Sequence, residues 1–561
     1  MIWSEPMPES REMEWQFDAL DLRPVERWLS APEQWQEATG VDVAPDGSTV
    51  EVDLYLDTDD WRFRRAGYAL RLRRVGRRRR AEATLERLDS VASNGRALRV
   101  RRALSEDIES SEPAALLGSH GEVGDRARAV AGRKPLLSLF EIRTRRRLFV
   151  LTVDGLPPAE LSLEETAIRG ADGEPPARLR RVAIDAVESV FPRLARFVER
   201  LQADCALQPT RLSAYEAGLL AGDLRPAAAE RFGSTRIDPE QPIGAVALAV
   251  LRRHFTALLA KEPGTRLGDD IEELHDMRVA SRRLRAALSL FADVLPSAAL
   301  DAREDLAWLG RVLGAVRDLD VQLEQLDVWL AELPEPDRAA LEQLVVLLRG
   351  RRNDARALLL EALDSRRYEA LVSRFGRVLR GRPTRRNDAS AQPALAVAPD
   401  LIEARFRRVR ALGKRIGRSS PAGDYHRLRI RCKRLRYALE FLSDLYPGQA
   451  EPLLRRLTEL QDVLGLHQDA DVAIERLRTL ALDHADELDT ATIFAMGEIA
   501  ERHRREMIDL RRRFPSAYAR ATGKRWTSLV EVLERRRPSV RPAAAAPSPD
   551  PGDLGQERME P

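Results

Sequence analysis

The stretch His275-Asp-Met-Arg-Val-Ala-Ser-Arg-Arg-Leu-Arg-Ala-Ala-Leu288 returns 151 residues later as His426-Arg-Leu-Arg-Ile-Arg-Cys-Lys-Arg-Leu-Arg-Tyr-Ala-Leu439. A second pair keeps the same offset: Leu313-Gly314 with Asp318, Asp320 and Val321 matches Leu464-Gly465 with Asp469, Asp471 and Val472. Two separate segments sharing one offset mark a duplication, and the apolar residues around them recur at helical spacing. The reading is two copies of one helical bundle. On a helix turning about 100° per residue, His275, Arg278, Arg282 and Arg285 fall within a strip about 80° wide, with Met277, Leu284, Leu288 and Phe291 on the other face. His426, Arg429, Lys433 and Arg436 repeat the strip. A row of cations on one helix face repels itself unless something anionic lies against it. The plain alternative is a solvated basic face balanced by acids such as Glu272, Glu273 and Asp276. A flexible chain of phosphates is the ligand that fits the strip, since it offers evenly spread charge and needs no base-reading geometry.

Working outward, the whole region from about residue 243 has the apolar period of helices, over 245–259, 274–291, 301–330, 335–363 and 368–379. Residues 381–399 form a break rich in Pro, Ser and Ala, helices resume over 400–536, and the Ala/Pro tail from 538 is expected to be disordered. Residues 12–165 alternate instead. In 50–56 the residues Glu51, Asp53 and Tyr55 share a face, and in 68–73 Leu70 and Leu72 oppose Arg71 and Arg73. Segments 149–153, 159–168 and 178–189 continue the strand pattern, and 190–205 reads as a helix. So many charges on the second face of strands mean either solvent or the polar interior of a small barrel.

Composition bounds the rest. At 561 residues the chain exceeds one core, and its 44% hydrophobic and 32% charged content is that of a globular protein. The net charge is only +3, from 92 basic and 89 acidic side chains, so an anion site must come from local clustering. The basic residues are nearly all arginine, whose planar fork matches phosphate oxygens. Cys205 and Cys432 stand far apart in no metal spacing, which fits a reducing compartment. Glu5, Glu9, Glu12 and Glu14 crowd the N-terminus where a signal peptide would be basic and then apolar, and no uncharged apolar run approaches the length of a membrane span. The expectation is a cytoplasmic protein without a membrane partner. Aromatic content of 5% leaves few rings to stack bases, which counts against nucleic acid.

The paired H-x-x-R-x-x-x-[RK]-R-L-R and L-G-x-x-x-D-x-D-V segments resemble the CHAD domain, over 242–536, with repeats at about 242–380 and 400–536. That resemblance implies a pair of pseudo-symmetric four-helix bundles whose basic groove binds inorganic polyphosphate through His275, Arg278, Arg282, Arg285, His426, Arg429, Lys433 and Arg436. Arg317 is a weaker candidate, because Gln468 stands at its partner position, and Asp318 and Asp469 are expected to orient rather than bind. The N-terminal succession Glu12-Met-Glu-Trp-Gln16, Leu54-Tyr-Leu-Asp-Thr58, Gly67-Tyr-Ala-Leu-Arg-Leu-Arg73, Arg143 and Arg145, Glu160 and Glu164 resembles the CYTH superfamily of triphosphatases and adenylate cyclases, over 10–222, with a linker at 223–241. The fold class implied is multidomain α+β: an antiparallel eight-stranded β tunnel followed by the all-α region. In the tunnel Arg71, Arg73, Arg143 and Arg145 would hold triphosphate, and Glu12, Glu14, Glu160 and Glu164 would hold Mg²⁺ or Mn²⁺.

Three departures weaken the tunnel as an enzyme. Gln16, Glu86 and Ala214 stand where the family pattern has lysines, and each lost charged hydrogen bond is worth about 1.5–3 kcal/mol. The expected function is therefore polyphosphate binding through the helical region, with a tunnel of doubtful catalytic competence, at polyphosphate granules in the cytoplasm. An active metal-dependent inorganic triphosphatase acting on tripolyphosphate is the first alternative, and a nucleic-acid binder the second.

Overall fold

The computed structural model describes residues 10–76, 80–88, 98–170, 177–225, 232–332, 335–381, 388–486 and 488–538. The expected tail at 539–561 lies outside these residues, as does part of the expected linker. Two compact units are present, one of Met1–Ser234, Arg252–Arg285 and Asp301–Gly381, the other of Thr235–Leu251, Ala286–Leu300 and Arg382–Pro561.

The first unit contains an antiparallel barrel. Strands β1 (Ser10–Asp18), β2 (Asp42–Asp57), β3 (Tyr68–Val75), β4 (Ala81–Arg87), β5 (Leu98–Ile108), β6 (Leu137–Thr152), β7 (Ala159–Gly170), β8 (Ala177–Ala186) and β9 (Gln208–Pro209) pair in the order β5-β4-β3-β2-β6-β7-β8-β1-β9. A further β1–β5 pairing closes the ring. The sheet thus has nine strands where eight were expected, the ninth being a two-residue addition beside β1.

Period-two alternation explains why the barrel has its core outside. Leu161, Leu163, Val182 and Ile184 point outward from β7 and β8 and pack with helix α2 (Phe191–Asp204) through Leu194, Phe197 and Leu201. Across the ring, Leu70, Leu72, Ala83 and Leu85 pack with helix α1 (Glu122–Ala131) through Val123, Ala127 and Val130. The charged alternate residues therefore face inward, which selects the polar barrel over the solvated sheet. Helix α3 (Ala214–Ala221) begins with a capping box of Ser213 and Glu216. A Cβ at Gly218 would stand 2.0 Å from the Phe140 ring, so glycine alone allows α3 so close to β6.

The same unit continues into helices. Helix α4 (Ile243–Leu267) enters it from Arg252, and α5 (Ile271–Leu290) belongs to it as far as Arg285. Helix α6 (Ala302–Glu332) packs on α7 (Glu335–Leu363) and α8 (Arg366–Arg380). Polar contacts, some of them buried, join these helices to the barrel. Arg126 donates to Asp269 at 3.1 Å, Tyr68 donates its hydroxyl to the same carboxylate at 3.2 Å, and Arg62 lies 3.5 Å from Glu262. Glu262 also accepts from Arg266 and from the Tyr368 hydroxyl, both at 2.8 Å, and Arg266 reaches Asp364 at 2.7 Å. An 18-residue window of α4 has mean hydropathy 1.5, long and apolar enough to cross a bilayer by length and composition alone, contrary to the sequence reading. Of that window 61% is buried inside the protein.

The second unit holds α9 (Ala394–Gly413), α10 (Ala422–Phe441), α11 (Glu451–Asp483), α12 (Thr490–Thr522) and α13 (Lys524–Arg535), with α9 on α10, α10 on α11 and α11 on α12. The starts Ile243 and Ala394, and Ile271 and Ala422, are each 151 residues apart, so the repeat extends to whole helices. The expected break at 381–399 is shorter than read. Its last residues already belong to α9, where Pro399 is buried one turn inside the helix, and tertiary packing overrides its low propensity.

Candidate polyanion sites

The barrel encloses a cavity of about 760 Å³. Arg71 and Arg73 line it from β3, Glu51 and Asp53 from β2, Arg146 from β6, Glu160 and Glu164 from β7, and Arg181 and Asp185 from β8. Gln16, Glu86 and Ala214 line it as well, so all three departures fall in the cavity itself. The Gln16 amide donates to Glu14 at 3.4 Å.

Three of the cavity's arginines, Arg73, Arg146 and Arg181, are paired with carboxylates. Arg73 donates to both oxygens of Asp53, at 2.8 and 3.0 Å, and lies 3.2 Å from Glu51. Burial would raise the Asp53 carboxyl, but Arg73 and Arg71 outweigh it and hold the group below its ordinary value. Arg181 donates to Asp18 at 3.0 Å and to the Leu212 carbonyl at 2.7 Å. Arg71 is different. It is 8% exposed, one of its nitrogens donates to the Thr84 hydroxyl at 3.3 Å, and its buried Nε has no hydrogen-bond partner.

Arg143 and Arg145 do not join this cavity. Both are exposed on the outer face of β6, while Ile142, Thr144 and Arg146 line the interior. In a strand a slip of one residue moves a side chain to the opposite face, so the inward cation of β6 is Arg146. Sequence reasoning missed it, together with Glu51, Asp53, Arg181 and Asp185 as lining residues. With Arg143, Arg145 and Arg146 so close together, the sequence held no signal to separate them, and the strand register decides.

The carboxylates expected to hold Mg²⁺ or Mn²⁺ are arranged otherwise. The Glu12 side chain lies outside the described residues, and Glu14 is buried in the cavity wall. Glu160 and Glu164 lie 3.2 and 3.1 Å from Arg146, which also stands 3.4 Å from Glu51 and 3.7 Å from Asp185. Ser162, fully buried between the two glutamates, accepts from Arg146 at 3.1 Å and donates to Glu164 at 3.2 Å. Burial pushes the Glu164 carboxyl up by more than Arg146 pulls it down. Among the described residues no three acidic, histidine or cysteine side chains converge as metal ligands. This donor set, as arranged, does not fit a divalent ion.

The helical strips are built differently. On α5, Met277, Leu284 and Leu288 are buried, His275, Arg278 and Arg282 are half-buried, and Arg285 is exposed. Arg278 donates to Asp318 of α6 at 3.2 Å and lies across Gly314, where a Cβ would stand 3.5 Å from its Nε. On α10, Arg429 lies 3.7 Å from Asp469 of α11 and across Gly465, where a Cβ would stand 3.8 Å from its Nε. A methyl at either glycine would already touch the guanidinium, and a larger side chain would displace it. The L-G-x-x-x-D element is thus a seat for the arginine of the neighbouring helix, present twice. His426, Lys433 and Arg436 are half-buried on the same face of α10, with Arg436 3.2 Å from Glu440. Arg317 is 9% exposed and lies 3.5 Å from Glu324, less accessible than the strip residues.

The CYTH-domain family profile matches residues 29–175, and the CHAD-domain profile matches residues 249–478. The chain carries a CYTH domain followed by a CHAD domain. Its CHAD region is similar to the crystal structure of the CHAD domain from the plant Ricinus communis, at 28% identity over 52% of this chain and 96% of that one, with a TM-score of 0.43. PptA from Streptomyces chartreusis is 24% identical over 50% of this chain and 99% of its own, with a TM-score of 0.41. HpAC1 from Hippeastrum, an adenylyl cyclase candidate described with a dominant triphosphatase activity, is 14% identical over 37% of this chain and 94% of its own, with a TM-score of 0.27. No curated protein matches the chain. In the CHAD region, then, two seated arginines head two cationic strips. In the CYTH domain a polar cavity has three of its arginines paired with the protein's own carboxylates.

Proposed function

We propose that this protein binds inorganic polyphosphate along the two cationic strips of its CHAD region, and that its CYTH tunnel has weak or no hydrolytic competence. The observation that carries the first part is the duplicated seat. Arg278 and Arg429 are each fixed by an aspartate and a glycine of the next helix, while about 32% and 23% of their side chains remain exposed. Fixing a guanidinium in advance removes part of the entropy that phosphate binding would otherwise cost. His275, Arg282 and Arg285 continue the first strip, and His426, Lys433 and Arg436 the second.

The second part is supported by the three cavity positions Gln16, Glu86 and Ala214 and by the pairing of Arg73, Arg146 and Arg181 with the protein's own carboxylates. A triphosphate entering the tunnel would have to displace those carboxylates or rely on the other arginines of the lining, Arg71, Arg64, Arg87 and Arg211. This reading carries with it a cytoplasmic protein stationed on polyphosphate granules.

Calorimetric titration of the full-length protein with long-chain polyphosphate, at two salt concentrations, tests the proposal. Binding should weaken at least tenfold or so from 50 to 200 mM salt, because each phosphate contact releases counterions. The Arg282→Ala/Lys433→Ala variant should lose most of the affinity. Binding that the variant leaves untouched would remove the strips from the function. In the same preparation, rapid phosphate release from tripolyphosphate with Mg²⁺ or Mn²⁺ would show a working tunnel and overturn the second part.

A further inference from the structure

Four carboxylates from three strands, Glu51 on β2, Glu160 and Glu164 on β7 and Asp185 on β8, lie around the edge of one guanidinium inside the barrel without meeting at a single point. So many anions in one partly buried place need a cation. Here the cation is covalent. Arg146 offers Nη1 to Glu51, Nη2 to Glu160 and Asp185, and Nε to Glu164, at distances between 3.1 and 3.7 Å. Nη1 and Nη2 donate hydrogen bonds, one of them to Ser162 as well, while the buried Nε faces Glu164 at ion-pair distance without a hydrogen bond.

We propose that Arg146 is a built-in cation that excludes a divalent ion from the tunnel, so that the carboxylates of this CYTH domain are neutralised by the chain itself. The geometry of the two kinds of cation differs. A divalent ion draws its ligand oxygens to about 2.0–2.6 Å from a single point. A guanidinium spreads them around the edge of a plane, over its three nitrogens, and its charge is permanent. A metal entering this site would have to sit beside that fixed charge and pull at least two of the four carboxylates from it. Coulomb repulsion at this range is strong even at an effective dielectric near 20. The inference concerns the tunnel alone and stands whether or not the CHAD strips hold polyphosphate.

Manganese binding to metal-stripped, full-length protein in phosphate-free buffer, read by the loss of the free Mn²⁺ paramagnetic signal, tests it without reference to activity. The wild type should show no Mn²⁺ site that disappears in Glu164→Gln. Arg146→Gln should gain one, with affinity raised about tenfold or more, since it frees four carboxylates at once. The gain should vanish in Arg146→Gln/Glu164→Gln. Two results would overturn the proposal: a wild-type Mn²⁺ site abolished by Glu164→Gln, or a folded Arg146→Gln that gains nothing. Should Arg146→Gln fail to fold, the wild type compared with Glu164→Gln still decides, because the proposal requires the two to bind Mn²⁺ alike.

Discussion

At the scale of single residues, His467 shows how the second repeat departs from the first. Its ring is fully buried, stacks on Tyr425 with centroids 4.5 Å apart, and accepts through Nε2 from Arg511 at 3.1 Å. The equivalent positions 151 residues earlier are Leu274 and Val316, both buried. Burial first, and then the Arg511 charge, lower the imidazole pKa to about 4. The folded protein therefore binds fewer protons than the unfolded chain between pH 4 and 6.5. Stability from this residue is fully present above pH 6.5 and is lost as pH falls towards 4, a change of about 3 kcal/mol. Denaturant unfolding of wild type and His467→Gln at pH 7, 5.5 and 4.5 checks this. The wild type should lose stability over that range more steeply than the variant, and parallel profiles would refute the assignment. Residue by residue, the sequence was most legible on the helices. Met277, Leu284, Leu288 and Phe291 are all buried as read, because a helix face is set by spacing alone.

At the scale of elements, β6 shows where reading by resemblance slips. Arg143, Arg145 and Arg146 lie within four residues, and nothing in composition tells which of them faces the cavity. The ladder decides, since Arg146 sits opposite Glu164 of β7, and that register fixes every alternate residue of the strand. Among the helices, α4 and α8 are tied by buried charge that no periodicity announced. Arg266 is 1% exposed and holds both Glu262 and Asp364. Arg266→Ala would leave Glu262 buried beside the Tyr368 hydroxyl with one guanidinium fewer. It should cost about 3–5 kcal/mol, the usual penalty for breaking a buried pair from one side. Chemical denaturation measures this directly, and a loss under about 1 kcal/mol would mean that Arg62 alone suffices for Glu262.

At the scale of the molecule, the barrel and the helices around α6 to α8 form one compact unit, although they belong to different domain families. Arg62, Tyr68 and Arg126 of the barrel all take partners from residues 262–269. A fragment ending at residue 225 would leave those groups without them. It should melt well below the barrel transition of the full chain, each orphaned buried group costing about 1–3 kcal/mol. Differential scanning calorimetry of the two proteins checks this, and equal transitions would show that the barrel is thermally independent. The sequence by itself determined the duplication, the helical faces, the two families and the cationic strips, because these depend on spacing along one chain. Only the tertiary structure decided that the strand charges face inward, that Arg146 rather than Arg143 or Arg145 enters the cavity, and that the carboxylates close on a guanidinium. Those outcomes depend on the closing of the ring and on strand register, which bring to Arg146 residues as far off in the chain as Glu51 and Asp185.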